Sequence, residues 1–509
     1  MRRELLLVFV AAVALYLPTS RYGFVQDDRA IIASNPAAHS IGAALAALND
    51  PYWPRESHAG LYRPVTILSY AVDWTLSGGR AGWLHVMNAL WHGLATVLLV
   101  VALSRWLPAL AAAAAGLVFA WHPVHVEAVA NLVGRAELLV AVGILGAVVA
   151  ARRRRWIVAV ACAALAMFSK EHGVIAGVVI LLDRWLEPAD APPYPKSFWF
   201  ALAILTVGYL GVWFAVGWAG ENDAASVFYG RDTFGRLALA LPAVLRAARL
   251  LFWPASLASD YGPRVIPAYD GLSLAAVIGG CILIATPILV VWCRRRAPSI
   301  AFAAGLTALS CLPTANLFFA SGVVLAERNL YLAVALPAAL VGSGVAWLAQ
   351  RQRLRLAVAA VCLVAAACGA RSLLRLPAWR DNRAELVTLL LEHPESYRGH
   401  ASAAAVLAGT GDTAGARLQY HLADSLYARD PYLDASHAIF LLGIGDTAAA
   451  APLVARIERR SAGVPNRPGL RARFLFKLRR GDRSGALAVR DTARLRFPGD
   501  EVWYRNYLQ

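Results

Sequence analysis

The sequence predicts an all-α protein: a polytopic, membrane-embedded helical core of about eleven spans, followed by a short helical array at its C-terminal end. Three observations carry this. The 509-residue chain is 59% hydrophobic and only 16% charged, too apolar for an ordinary water-soluble globule. Its apolar residues gather into runs such as 84–103, 198–218, 272–292 and 329–348, each about the twenty residues a helix needs to cross hydrocarbon. After residue 373 the runs stop, and the chain turns polar and arginine-rich.

The first run, residues 5–17 behind Arg2 and Arg3, reads as an uncleaved first helix; a cleaved signal peptide would leave the same topology. Runs near 107–120 and 156–168 are short and need shielding by neighbouring helices. The net charge of +17 does not point to nucleic acid, because its basic clusters sit between apolar runs. They are Arg2-Arg3, Arg152–Arg155, Arg294–Arg296 and Arg351/Arg353/Arg355. Such excess marks cytoplasmic loops, and with the N-terminus in the cytoplasm all four fall on that side. Residues 21–83, 122–135, 169–172, 219–271, 316–328 and everything beyond 373 are then expected on the opposite face. The six cysteines, Cys162, Cys281, Cys293, Cys311, Cys362 and Cys368, lie in or beside spans without metal-type spacing and read as small core residues. Scarce lysine beside abundant arginine and alanine suggests a GC-rich bacterial genome, hence a bacterial inner membrane with a periplasmic outer face.

The chain divides into a membrane domain, 1–372, and a helical domain, 373–509. In the second, Gly411-Asp412, Gly445-Asp446 and Gly481-Asp482 recur at spacings of 34 and 36 residues. Ala416, Tyr420, Ala423 and Pro431 follow the first; Ala486, Ala493 and Pro498 follow the third. This period and order resemble a short array of tetratricopeptide repeats (TPR), helix pairs that stack into a concave surface for a polypeptide partner. A helical cap without a ligand fits the same pattern.

Polar groups kept beside apolar spans are expensive and so are functional candidates. In the first external loop, Asp27 and Asp28 form a carboxylate pair able to act as a base or to hold a divalent metal, or else a solvated turn. Arg63 opens the stretch PVTILSYAVDWTL, which reads as an interfacial helix, and could grip a phosphate or snorkel to headgroups. His85, Asn88 and His92 share a helix face, as a metal site or, better, a polar seam between helices. The segment HPVHVEAVANLVGRAE, 122–137, carries two histidines, two glutamates and Arg135. There Glu127 and His125 suit metal or sugar, and Arg135 suits phosphate. Lys170 and Glu171 form the turn SKEH, and Glu327 and Arg328 open AERNLYL; Lys170 and Arg328 are further phosphate candidates.

The segments FVQDDRAIIASNP, YRPVTILSY, LHVMNALWHG, FAWHPVHVEAVANLVGRAELL, FSKEHGV and AERNLYL occur in that order ahead of the repeats. This ordered set resembles the transmembrane and TPR-containing O-mannosyltransferase family, relatives of the protein O-mannosyltransferases in the GT-C superfamily. The resemblance implies a GT-C-type core with its active site on the non-cytoplasmic side. It implies a polyprenyl-phosphate sugar donor, commonly mannose, and transfer with inversion to a hydroxyl. An acidic residue of the first external loop would be the base, matching Asp27-Asp28 with a preference for Asp28, and the HPVHVE motif, with His122, His125 and Glu127, would line the cavity beside Glu171 and Glu327. Arg63, Arg135, Lys170 and Arg328 would hold the donor phosphate. No cofactor is certain; a divalent Mg or Mn ion would fall to Asp27, Asp28, His125 and Glu127.

The chemistry suits these residue types. A lipid phosphate leaves readily and needs charge stabilisation, which arginine and lysine supply. The attacking hydroxyl must shed a proton to a carboxylate. Expected partners are the lipid-linked donor, membrane lipid and an acceptor polypeptide held by the repeats. The rival readings are a transferase acting on a lipid or glycan, a non-catalytic TPR scaffold, and a transporter, for which no inverted repeat is visible.

Overall fold

The computed structural model describes residues 2–54, 60–217, 225–228, 231–267, 271–460 and 466–507. The expected apolar run ends at 218 and the expected outer segments include 55–59, 219–224, 229–230 and 268–270; these positions lie outside the described residues. Among the described residues there are helices, turns and one isolated bridge but no strand.

The membrane domain is built from α1 (Arg2–Tyr16), α2 (Ile41–Ala46), α3 (Pro64–Ser77), α4 (Ala81–Leu103), α5 (Ala109–Trp121), α6 (His125–Ala130), α7 (Arg135–Arg152) and α8 (Trp156–Ser169). It continues through α9 (Ala176–Trp185), α10 (Lys196–Val212), α11 (Thr233–Phe252), α12 (Leu274–Cys293), α13 (Pro298–Cys311), α14 (Ala335–Gln350) and α15 (Leu354–Arg375). Seven stretches among the described residues are long and apolar enough to cross a bilayer: 2–21, 81–103, 132–152, 196–216, 274–293, 332–350 and 354–379. Three apolar helices are shorter: α5, α8 and the 298–314 stretch. The protein is an integral membrane protein.

Burial grades these helices by position. The apolar window containing α7 is 94% buried, whereas those of α10 and α12 are 11% and 17% buried, so α7 is the axis and the other two form the lipid-facing rim. Two cysteines expected in the core, Cys281 and Cys362, are exposed on that outer surface.

Side-chain ties define the two ends of the bundle. At one end Arg152, closing α7, holds Asp183 of α9 (Nη2–Oδ1 2.5 Å) and donates to the Ala102 carbonyl at the end of α4. Arg105 reaches Glu187 at 3.1 Å, and Arg294 Nε donates to the Trp185 carbonyl at 3.2 Å. At the other end Thr66 Oγ1 of α3 donates to the Ser169 carbonyl that closes α8, and Ser372 Oγ of α15 donates to the Trp121 carbonyl that closes α5. The interfacial stretch is indeed helical: α3 starts with Pro64 in its first turn and ends at Gly78 in the left-handed region (φ 67°), a proline-in, glycine-out pattern. The seam reading of α4 holds. His85 Nε2 bonds the Gly23 carbonyl, Asn88 donates to the Val129 and Leu132 carbonyls, and His92 bonds Tyr331 Oη and the Ala120 carbonyl.

The expected outer segment 219–271 contains α11, a twenty-residue helix that periodicity alone did not separate from a loop. It packs on α12, where the Leu241 carbonyl lies 2.0 Å from the place a Cβ on Gly279 would take; only glycine permits that approach.

Beyond α15 the chain passes through α16 (Asn382–Glu392) into three consecutive helix pairs. They are α17 (Tyr397–Gly409) with α18 (Thr413–Leu426), α19 (Pro431–Gly443) with α20 (Thr447–Arg460), and α21 (Arg467–Arg479) with α22 (Arg483–Arg496), ahead of α23 (Glu501–Arg505). Each Gly-Asp dipeptide makes the turn within a pair. Gly411, Gly445 and Gly481 have φ of 86°, 83° and 75°, and Asp412 and Asp482 then cap the next helix by accepting from the amides of Gly415 and Gly485. The left-handed residue stops one helix and the carboxylate starts the next. Ala416, Tyr420, Ala423, Ala486 and Ala493 are buried in a core separate from that of the bundle.

Candidate functional site

The first external loop carries the acidic pair, and the structure treats its two members differently. Gln26 sits at φ 46°, a left-handed conformation that costs a non-glycine residue about 1–2 kcal/mol. Asp28 is fully buried. Its Oδ2 accepts from the Val25 amide at 3.0 Å and its Oδ1 from the Val133 amide at 2.9 Å, so it clamps the loop to the 132–134 turn. Tyr70 Oη donates to the Leu132 carbonyl of the same turn at 3.0 Å. Asp27 is half-buried and, among the described residues, its carboxylate makes no hydrogen bond or ion pair. The expected preference for Asp28 meets a carboxylate whose two oxygens are both bonded to backbone amides, whereas Asp27 carries no such bond.

On the same face three cations are each held by a carboxylate from a different part of the chain. Arg63, leading α3, grips Glu171 with two nitrogens (Nε–Oε1 3.0 Å, Nη2–Oε2 2.8 Å), its guanidinium 4.7 Å above the Tyr52 ring. Lys170 pairs with Glu137 and donates to Asn329 Oδ1 at 3.1 Å, while His172 Nε2 reaches the same Glu137 at 3.2 Å. Arg328 pairs with Glu127 of α6, and its amide donates to Glu127 Oε2 at 2.9 Å. Burial works most strongly against the charge of Arg328, but Glu127, Asp27 and Glu137 together outweigh it, and its pKa rises. Burial likewise opposes the charge of Lys170 and lowers its pKa; Glu137 pulls the other way, and Arg63 and Arg328 add repulsion. Burial would neutralise Glu171 too, yet Arg63 holds its carboxyl below the usual range. The mutual fields tie the three pairs and Asp27 into one cluster.

The pairing leaves donors over. Among the described residues, Arg63 Nη1, Arg328 Nε and Nη2, and one proton of Lys170 have no protein acceptor. The side chains of Arg328 and Arg63 remain 25% and 12% exposed, enough for a ligand atom to reach them.

Four expected site residues stand behind this cluster. Arg135 is wholly buried, paired with Asp73 of α3, and donates to Asn88 Oδ1 at 2.7 Å and the Leu84 carbonyl at 3.0 Å. All three of its nitrogens are occupied, so it does not hold a donor phosphate. His122 bonds the Leu251 carbonyl and His125 the Tyr331 carbonyl. Burial pushes His122 down to about 4 and holds His125 well below the ordinary imidazole range, helped there by the neighbouring imidazoles, so both are neutral struts. Glu327 Oε1 accepts from the Ala258 amide and Tyr261 Oη at 2.7 and 2.6 Å. Among the described residues no three His, Cys, Asp or Glu side chains group to hold a metal ion. The suggested set does not assemble, because Asp28 serves backbone amides, His125 a carbonyl and Glu127 an arginine. Tyr52 carries no signal in the sequence, whereas Glu137 and Asn329 stand inside the quoted motifs RAELL and AERNLYL without an assigned role.

Burial also makes the fold pH-sensitive. It pushes the Asp28 and Glu327 carboxyls up to about 7, so each holds a proton in the folded protein that the unfolded chain has already released. Their contribution to stability is full below the unfolded carboxylate range and is lost as pH rises through about 7. The melting temperature should fall between about pH 5 and about pH 8, less steeply in Asp28→Asn than in wild type. Equal slopes would contradict the assignment.

Fold and cluster define a polytopic helical membrane protein with a charged site at one end of its bundle. Its homologues are named protein O-mannosyl-transferases. One from Caenorhabditis elegans is 27% identical over 343 residues, 65% of this chain and 49% of its own. Mouse TMTC3 is 26% identical over 378 residues (65% and 41%), and mouse TMTC4 is 26% identical over 471 residues (78% and 63%). The chain thus spans about half or less of the length of the first two. No protein-family model and no solved structure matches it.

Proposed function

We propose that this protein is a glycosyltransferase that moves a sugar, mannose by analogy with its relatives, from a polyprenyl-phosphate carrier to a serine or threonine hydroxyl of a polypeptide. The observation that carries this is Asp27: of the four carboxylates in the cluster (Asp27, Glu127, Glu137 and Glu171) it alone, among the described residues, has no protein partner, and it lies in the field of Arg328.

The acceptor hydroxyl gives its proton to Asp27 as its oxygen attacks the anomeric carbon. The carrier phosphate departs from the opposite face, which inverts the configuration. The charge gathering on that phosphate is met by the spare N–H groups of Arg63, Lys170 and Arg328. Their carboxylate partners fix each cation in place, so little reorganisation accompanies the reaction. We place the N-terminus and the arginine-rich turns in the cytoplasm, in a bacterial plasma membrane on the compositional evidence, with eleven passes setting the cluster and the C-terminal helix pairs on the far face. The pairs would present the acceptor.

Purified enzyme incubated with radiolabelled polyprenyl-phosphate-mannose and with membrane protein and lipid fractions tests this. Label in protein, released by mild alkali as an O-linked sugar should be, supports the reading. Label in lipid replaces the acceptor, and no incorporation from any lipid-linked sugar removes the activity.

A further inference from the structure

The loop that carries Asp27 is fastened by the C-terminal domain. The Gly23 amide donates to the Arg380 carbonyl at 3.2 Å. The Gln26 amide donates to Asn382 Oδ1 at 2.7 Å, a contact between residues 356 positions apart. Asn382 is the first residue of α16, held there by Asp381, whose carboxylate caps the helix on the Ala384 amide at 2.8 Å. One turn on, Glu385 is 7% exposed and bonded by Ser259 Oγ; the Gln26 side chain also favours its charged form.

Gln26 is the residue with φ 46°. A left-handed glutamine persists only where its surroundings hold it, and on its N-terminal side the holder is the α16 cap. On its C-terminal side Asp28 is locked to the bundle. Asp27 lies between these two anchors.

We propose that Asn382, with Glu385 behind it, is a positioning residue for Asp27: the first turn of the C-terminal domain sets the strained backbone that presents the base. The C-terminal domain then has a second task besides any part in holding an acceptor. It completes the catalytic loop, so catalysis depends on how α16 docks. This inference rests on Asp27 being the base.

The test uses full-length protein. Asn382→Leu removes the acceptor oxygen at similar size, and Asn382→Asp keeps it. Asn382→Leu should lower kcat about 5- to 10-fold, with KM for polyprenyl-phosphate-mannose changed less than about twofold. The Gln26 amide should exchange its hydrogen at least about 10-fold faster. Asn382→Asp should restore both readouts. In a Gln26→Gly background, where the left-handed conformation is no longer strained, the Asn382→Leu effect on kcat should shrink. Asp27→Asn is assayed alongside. Full transfer by Asp27→Asn overturns the base assignment, whatever Asn382 does. An inactive Asp27→Asn together with wild-type kcat and wild-type exchange in Asn382→Leu overturns the inference alone.

Discussion

Purified Asp27→Asn should bind the lipid-linked donor and melt near the wild-type temperature, yet transfer sugar about 10²–10⁴-fold more slowly, the usual cost of losing a general base. The expectation follows from its surroundings. The carboxylate supports no hydrogen bond or ion pair among the described residues, so the amide replaces nothing structural. Asp28→Asn should behave in the opposite way. Its oxygens accept from the Val25 and Val133 amides, and an NH₂ group in either place would face another donor. The protein should lose about 1–3 kcal/mol of stability, and any lost activity should follow the misplaced loop. Thermal melts beside single-turnover transfer separate the two. A stable, inactive Asp28→Asn beside an active Asp27→Asn would reverse the assignment.

The second large effect is expected at Arg135. It is wholly buried against Asp73 and stands 4.7 Å from the centre of the Tyr70 ring, stitching α3 to α4 and α7. Removing one member of a buried pair strands the other, at about 3–5 kcal/mol. Asp73→Ala should therefore lower the melting temperature sharply, while the protein that remains folded keeps its KM for the donor. Were Arg135 a phosphate ligand, Arg135→Lys would raise donor KM with little change in melting; that result would return it to the site.

Helix positions and the two-part organisation were legible because membrane spans and repeat turns have strong local signatures. Apolar runs about twenty residues long mark the spans, and Gly-Asp at a regular spacing marks the hairpins. The candidate charged groups were legible as a set: Arg63, Lys170, Glu171, Glu127 and Arg328, far apart in the chain, all enter the ion pairs of one face. Its internal roles were not. Whether a given arginine faces a ligand or a buried aspartate depends on which helix packs beside it, and Asp73 is an ordinary residue in an amphipathic pattern. The distinction between Asp27 and Asp28 turns on the left-handed Gln26, for which glutamine gives no local cue. The Asn382 contact is invisible for the same reason: nothing near residue 26 announces a partner at residue 382. Helix α11 escaped because its arginines and Pro242 interrupt an otherwise apolar run.

The most direct test of the account is photocrosslinking of a polyprenyl-phosphate analogue, with the reactive group beside the phosphate, to the full-length protein in membranes. The account predicts labelled peptides from the Asp27 loop and from the turns carrying Arg63, Lys170 and Arg328, with labelling displaced by unlabelled polyprenyl-phosphate-mannose. Displaceable labelling confined to the opposite end of the bundle, at Arg152–Arg155 or Arg294–Arg296, would contradict it.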